Sequence, residues 1–387
     1  MTKMQWYGAF ALMIAVGLPT LFILSSGGNA PVGNAPLKNE IGKKGGFIAK
    51  ERPKNVILMI GDGMGLTQIS AGSIAKKDGL ALEKFRHIGL VRTYARKKLV
   101  TDSAAGATAM ATGEKTYNGA IAMNVKQEKL KTIVQYAEEA GIATGILTTT
   151  HVTHATPACF YSHQSTRSNV NEPIAADFIN SDIEVLMGGG WDYFGARKDG
   201  RNLIDEASAK GYFVTRSLSE LGEYCPRRLL CLPWATLPPS YKERGNFLEQ
   251  ATQKALEILS AYPDGFFLVV EGGQIDLGGH AKNSEYIIGE MHDFDRAVAA
   301  ALAFAEKDGN TLLVITADHE TGGYSITGGN EETGEVQGAF TTDYHTATMV
   351  PIFAYGAGAE SFAGVMNNTD IFFKLYALMC IDEKVKK

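Results

Sequence analysis

Five short runs of apolar, largely β-branched residues constrain this chain more than any other feature. They are Asn55–Ile60 (NVILMI), Ala143–Thr149 (ATGILTT), Phe266–Val270 (FFLVV), Thr311–Thr316 (TLLVIT) and Val350–Tyr355 (VPIFAY). A strand with no polar face is buried on both sides. Helical patterns separate the runs, at Lys131–Ala140, Asn246–Ala261 and Ile287–Asp308. Buried strand alternating with helix predicts an α/β fold, a three-layer sandwich with a large, mostly parallel central sheet flanked by helices. The stretch 195–245, with Arg227-Arg228, Pro238-Pro239 and two cysteines, reads as an irregular insertion on the rim of a single domain covering 50–387.

Upstream of that domain, Lys3 is followed by an uncharged run from Trp6 to Leu24 and then by small residues from Ser25 to Ala30. This is the layout of a secretory signal peptide over residues 1–30, with a retained N-terminal anchor as the alternative. Residues 31–49 read as a flexible leader. The expectation is an exported protein, periplasmic or secreted, that meets a membrane only through this segment. Export permits disulfides, and Cys225 and Cys231 are the favoured pair of the four cysteines. A net charge of −5 argues against a nucleic-acid partner.

In open α/β sheets ligands bind beyond the carboxyl ends of the strands. NVILMI ends in Gly61-Asp62-Gly63, and ATGILTT leads to His151, His154 and Thr156. FFLVV leads to Glu271, Asp276 and His280, and TLLVIT to Asp318, His319 and Glu320. Four strands thus bring acids and histidines to one edge, the donor mixture of a metal centre with nitrogen and oxygen ligands. Asp276 and His280 are one helical turn apart and share a face. Near the start of a small-residue, helix-competent run, Asp102-Ser103 places Ser103 where free N–H groups favour an anion. No histidine neighbours Ser103 in sequence, so a metal is the simpler activator of its hydroxyl; an ordinary helix-capping serine is the alternative.

These motifs together resemble the alkaline phosphatases. The resemblance rests on Gly61-Asp62-Gly63-Met64-Gly65, Thr101-Asp102-Ser103-Ala104-Ala105-Gly106-Ala107-Thr108, Thr153-His154-Ala155-Thr156-Pro157, the spacing of Glu271, Asp276 and His280, and Ala317-Asp318-His319-Glu320-Thr321-Gly322-Gly323. It runs in order from about Asn55 to Tyr355, and the brief segment between Asp318 and His345 is similar to the short bacterial branch that includes cold-active enzymes. The resemblance implies a phosphomonoesterase working at alkaline pH through a phosphoserine on Ser103, with small phosphate monoesters as substrates. It implies one zinc on Asp276, His280 and His345, and a second on Asp62, Asp318 and His319. A third, magnesium-like ion would take Asp62, His154, Thr156 and Glu271, and Arg167 would clamp phosphate. Members of the family are often homodimers.

Two departures bear on these expectations. His154 stands where the best-known enterobacterial form has Asp, which leaves the third ion open among magnesium, zinc and cobalt. Leu277, beside Asp276, occupies a position often held by Trp, Lys or Asp. His87, His151, His163 and His292 read as structural or surface residues, Glu320 as a supporting residue, and Cys159 as a small buried one. Other readings are a phosphodiesterase, sulfatase or mutase of the same superfamily, or a silent metal-binding surface protein. The last should have lost a ligand, Ser103 or Arg167, and none is missing. Because Leu277 cannot hydrogen-bond phosphate, a Leu277→Trp variant is expected to alter inhibition by inorganic phosphate; unchanged inhibition would count against a role for this position.

Overall fold

A computed structural model describes residues 52–385. The expected signal segment 1–30 and leader 31–49 lie outside the described residues. Ten strands form the central sheet, in the order β14-β2-β13-β8-β1-β7-β3-β4-β6-β5. They are β1 (Asn55–Gly61), β2 (His87–Arg92), β3 (Ala143–His151), β4 (Val185–Gly189), β5 (Phe213–Thr215), β6 (Leu229–Trp234), β7 (Phe266–Gly272), β8 (Thr311–Thr316), β13 (Val350–Tyr355) and β14 (Gly364–Asn367). Four short strands, β9 (Glu320–Thr321), β10 (Tyr324–Asn330), β11 (Glu335–Phe340) and β12 (His345–Thr346), make two ribbons between β8 and β13.

The apolar runs form the middle of the sheet. β1, β7 and β8 are buried at every position, as their composition requires. Their register brings their ends level: Ile60 lies opposite both Glu271 and Thr316, and Thr148 opposite Glu271. The residues that follow β1, β3, β7 and β8 therefore emerge at one edge.

β13 alone runs antiparallel to its neighbours in this sheet. The chain leaves β8 at the site edge, makes the β9–β12 excursion, and re-enters the sheet from that same edge. The reversal has a consequence for chemistry, since it is the start of β13, not its end, that lies beside the ends of the parallel strands.

The stretch 195–245 differs from the irregular insertion expected. It supplies β6 and β5, which pair in parallel and extend the sheet beyond β4. Leu229–Leu232 are buried, and Pro233 falls near the strand's end, so a proline-bearing, basic stretch still makes an outer strand. The expected Cys225–Cys231 disulfide is absent. Cys231 is buried in β6 while Cys225 is exposed on the preceding loop, and all four thiols are free. An extended strand turns the Cys231 side chain into the core, away from its partner.

The helices that shape the site are α1 (Leu66–Ala75), α2 (Ser103–Thr112), α3 (Phe247–Leu259), α4 (Ile275–His280), α5 (Ser284–Asp308) and α6 (Asn368–Leu378). α5 starts three residues before its apolar pattern because the Asn283 side chain caps the Tyr286 N–H. It packs on α1, α3 and α4. α2 is buried along its whole length and packs on α6, which its small side chains permit. Among the described residues no helix is long and apolar enough to cross a membrane.

One buried ion cluster ties the loop before α3 to α5. Arg244 Nη2 bonds Glu290 and lies 2.8 Å from Asp293, and all three side chains are almost wholly shielded from solvent. Arg244 Nη1 also donates to the Pro239 carbonyl at 2.7 Å. Replacing Arg244 by Met would leave the buried Glu290 carboxylate without a cationic partner and Asp293 with Arg296 alone, a loss of about 3–5 kcal/mol. Urea unfolding of Arg244→Met should show a clearly lowered midpoint; a shift no larger than that of a surface substitution would mean the cluster is solvated.

Candidate metal centre and nucleophile

Asp62 follows β1 directly and is fully buried. The chain turns at once at Gly63, where φ is +75°, and a Cβ there would sit 2.8 Å from the Asp276 Cα. Only glycine meets both demands. Asp318 and His319 follow β8. The Gly63 and His319 N–H groups donate to Asp318 Oδ1 at 3.2 and 2.9 Å, which turns both adjacent side chains toward Asp62. His319 Nε2 then lies 3.3 Å from Asp62 Oδ1 and 3.3 Å from Asp318 Oδ2.

A second group of donors forms on α4. His280 Nε2 is 3.3 Å from Asp276 Oδ2, one turn away on the same face. His345 arrives on β12, just ahead of the reversed strand, with Nε2 3.5 Å from Asp276 Oδ1 and 3.2 Å from His280 Nε2. The other nitrogen of each ring donates to a backbone carbonyl, His280 Nδ1 to Asp343 at 2.6 Å and His345 Nδ1 to Thr101 at 2.9 Å. Such bonds set the tautomer and leave the Nε2 lone pairs facing the carboxylate.

A third group adjoins Asp62. Glu271 is the next-to-last residue of β7, and His154 and Thr156 open the short helical turn after β3. Thr156 Oγ1 donates to Asp62 Oδ2 at 3.4 Å. Glu271 Oε2 accepts from Thr148 and from Thr150, the latter at 3.2 Å.

Donor atoms of three sets lie within 4.8 Å of one another: Asp62, Asp318 and His319; Asp62, His154 and Glu271; and Asp276, His319 and His345. The last set takes in His319 where the resemblance implied His280, although His280 remains within 3.3 Å of Asp276. Asp62 Oδ1, Asp318 Oδ2, Glu271 Oε1 and His154 Nδ1 are buried without a hydrogen-bond partner. Orphaned carboxylate oxygens of this kind, on side chains whose donor sets overlap at Asp62, fit cations. Carboxylate and imidazole donors suit zinc, and the more oxygen-rich set around Glu271 and Thr156 suits a harder ion.

The electrostatics agree. Burial and the nearby Asp318 charge hold the Asp62 carboxyl well above its usual range. Burial, then the Asp276 charge, pushes Asp318 up to about 8, and burial pushes Glu271 up to about 7. For Asp276 burial is outweighed by the hydrogen bond from His280 and by that imidazole's charge, which help hold it below the usual range. Its hydrogen bond to Asp276 in turn raises His280 to about 9. Burial keeps His154 and His319 neutral, as ligands must be.

Ser103 is the first residue of α2, and the capping role falls to Asp102, which accepts the Ala105 N–H at 3.0 Å. The Ser103 hydroxyl is therefore released from the helix end. Its Oγ lies 3.2 Å from His319 Nε2. Arg167 Nη1 sits 3.4 Å from Ser103 Oγ and 3.4 Å from Asp102 Oδ2, while Nη2 sits 3.2 Å from His154 Nε2. At Gly106 a Cβ would come within 3.2 Å of the Asp318 Cβ, so the glycine lets α2 seat Ser103 against the acids.

Several further residues support the site, and of these Gln274 carries no signal in the sequence. The Thr321 hydroxyl donates to Asp276 Oδ1 and lies 3.1 Å from His319 Nδ1, joining two donor sets. Gln274 Nε2 donates to the Thr149, Pro238 and Pro239 carbonyls, and its Oε1 accepts from Tyr286, bracing the loop between Glu271 and Asp276. Glu320 accepts from Gln68 and from the Gly323 and Tyr324 N–H groups, so it shapes the turn after His319. Cys159 donates to the Ala104 carbonyl at 3.2 Å, inside the core. His163 and His292 bond backbone carbonyls, His87 is exposed, and His151 packs edge-on against His154.

An α/β sheet with metal-fitting donor sets and an uncapped serine at its carboxyl edge defines a metal-dependent hydrolase. The alkaline phosphatase family model matches residues 53–339. Alkaline phosphatase 3 of Bacillus subtilis is 33% identical, over 97% of this chain and 98% of that protein. The Escherichia coli alkaline phosphatase is 32% identical, over 86% and 87%. The structure of alkaline phosphatase from the Antarctic bacterium TAB5 superposes with a TM-score of 0.82 at 41% identity, covering 86% of this chain and 99% of that one. A variant of that enzyme has Mg bound in its M3 site. The cold-active enzyme of a psychrophilic Shewanella is 33% identical, with a TM-score of 0.77 over 84% and 99%. This chain belongs to the alkaline phosphatase family and is a metal-dependent phosphatase.

Raised carboxyls are protonated below their pKa and must ionise to hold a cation. With Asp318 at about 8, Glu271 at about 7 and His280 at about 9, loading zinc into the metal-free protein should release more protons at pH 6 than at pH 10. Titration in weak buffer counts them; equal release at both values would show that these groups do not face the ion.

Proposed function

We propose that this protein hydrolyses phosphate monoesters at alkaline pH through a phosphoserine on Ser103, with two zinc ions and a third, magnesium-like ion. The observation that carries the reading is Ser103 Oγ standing between the Asp62–Asp318–His319 donors and the Arg167 guanidinium. One zinc would take Asp276, His280 and His345, the other Asp62, Asp318 and His319, and the third ion Asp62, His154, Thr156 and Glu271. When bound, such ions lower the pKa of coordinated hydroxyls and stabilise charge on attacking and leaving oxygens.

The chain's own groups supply the rest. The start of α2 aims Ser103 Oγ at phosphorus, and the N–H groups of that turn favour the incoming anion. Arg167, anchored by Asp102, presents a planar fork to two equatorial phosphate oxygens. Ser103 Oγ attacks as the alcohol leaves on the opposite side, and water then attacks the phosphoserine from the vacated side. Two in-line displacements give net retention at phosphorus.

A serine–histidine pair without metal is the competing reading, because Ser103 lies 3.2 Å from His319 Nε2. That nitrogen also faces two carboxylate oxygens, and burial holds its basicity down, so it suits a ligand better than a base. The N-terminal segment supports export to the periplasm or beyond, and the family supports a homodimer.

Hydrolysis of p-nitrophenyl phosphate tests the proposal. Ser103→Ala should lose at least ~10³-fold in kcat. Arg167→Ala should lose about 10²-fold in kcat/KM. A chelator should abolish turnover, and zinc with magnesium should restore it. Activity that survives chelation would favour the serine–histidine pair, and full activity in Ser103→Ala would sink the phosphoserine route.

A further inference from the structure

Three rings form one column from the buried centre to the surface. His319 and His345 stack with centroids 3.5 Å apart and planes 16° apart, and Tyr344 continues the stack at 4.3 Å and 5°. Exposure rises along it, from 0% at His319 to 6% at His345 and 45% at Tyr344. An aromatic ring this open is normally a loose surface group, but this one lies flat on His345 and its backbone is held from both directions. The Gly322 N–H donates to its carbonyl at 2.9 Å, and its own N–H donates to Thr342 Oγ1 at 3.1 Å. The preceding residue, Asp343, accepts from His280, and the following residue, His345, donates to Thr101. Tyr344 is thus as fixed as the donors it separates.

The ring also neighbours a second histidine of the donor group. The His280 ring lies 6.1 Å away, tilted by 48°. The ring therefore adjoins both histidines that flank Asp276. In-line attack by Ser103 sends the leaving oxygen away from the serine. On the phosphomonoesterase reading the leaving oxygen would depart toward the Asp276–His280–His345 group, and the exposed Tyr344 ring borders that group.

We propose that Tyr344 is the leaving-group contact of this site and selects monoesters of planar aromatic alcohols over those of short alkyl alcohols. The proposal rests on the phosphomonoesterase reading for its substrate and on the ring column for its selectivity. A rigid, partly exposed ring gains from a flat apolar partner without the entropic cost of ordering itself.

Binding tests it without turnover. Calorimetry on the zinc- and magnesium-loaded full chain would compare phenylphosphonate, methylphosphonate and inorganic phosphate. The unaltered protein should bind phenylphosphonate more tightly than methylphosphonate. Tyr344→Ala should weaken phenylphosphonate by about 3–10-fold. Phosphate binding and zinc content should stay as they were, and Tyr344→Phe should keep the preference. Equal weakening of all three ligands would mean that Tyr344 only props His345, and no weakening would mean that it touches no leaving group; either result overturns the proposal. Phosphonate binding with the phenyl preference but no hydrolysis of phenyl phosphate would remove the esterase reading and leave the aromatic contact standing. Failure to bind any of the three would overturn both.

Discussion

Mutual repulsion among buried carboxylates is the constraint on which the rest of this structure depends. Asp62, Glu271, Asp276 and Asp318 are brought together at one sheet edge, each almost fully shielded from water. Desolvation and like charge make such a cluster unfavourable unless protons or cations offset it. Four orphaned donor atoms pointing inward show where cations would do so. Much of the local architecture holds these side chains in place against that repulsion. The Gly63 turn, the backbone N–H groups on Asp318, the threonines on Glu271 and the Thr321 hydroxyl all keep side chains where they would not sit unaided.

The sheet makes this concentration possible. Adjacent parallel strands in level register deliver their trailing residues to one edge, so four separate pieces of chain meet without any long loop having to fold over them. The reversed strand β13 extends the same logic. Because it begins at that edge, His345 joins from the leading side of a strand, while the other donors lie at or beyond the trailing ends of β1, β3, β7 and β8. Small residues matter as much as charged ones here. The fully buried α2 brings Ser103 up to the acids only because Gly106 lets its backbone approach Asp318.

Much of this was legible in the sequence, and the reasons are specific. Runs such as NVILMI and TLLVIT carry no polar face, so burial on both sides follows from composition alone. The acids after them must then lie at an edge. The Asp276–His280 spacing places both on one helical face. Other features were hidden. The stretch 195–245 looked irregular because its apolar run, Leu229–Leu232, is only four residues long and sits between arginines and a proline, yet it pairs with β4 and widens the sheet. Cys225 and Cys231 are close in sequence, but the extended geometry of β6 buries one thiol and leaves the other in solvent. Thr321, Gln274 and Tyr344 resemble any other residues of their types until their neighbours are known.

The sequence by itself determined the class of fold, the edge at which chemistry gathers and the identity of the charged residues there, because burial patterns and helical spacing are local properties of the chain. Only the tertiary structure decided which donors face which. It set Asp102 rather than Ser103 as the helix cap, turned Asp318 and His319 the same way, and reversed β13 so that His345 could reach His280. It also stacked Tyr344 over the histidines. These outcomes depend on contacts between residues distant in the chain, such as the 255 positions from Gly63 to Asp318, and no local pattern encodes them.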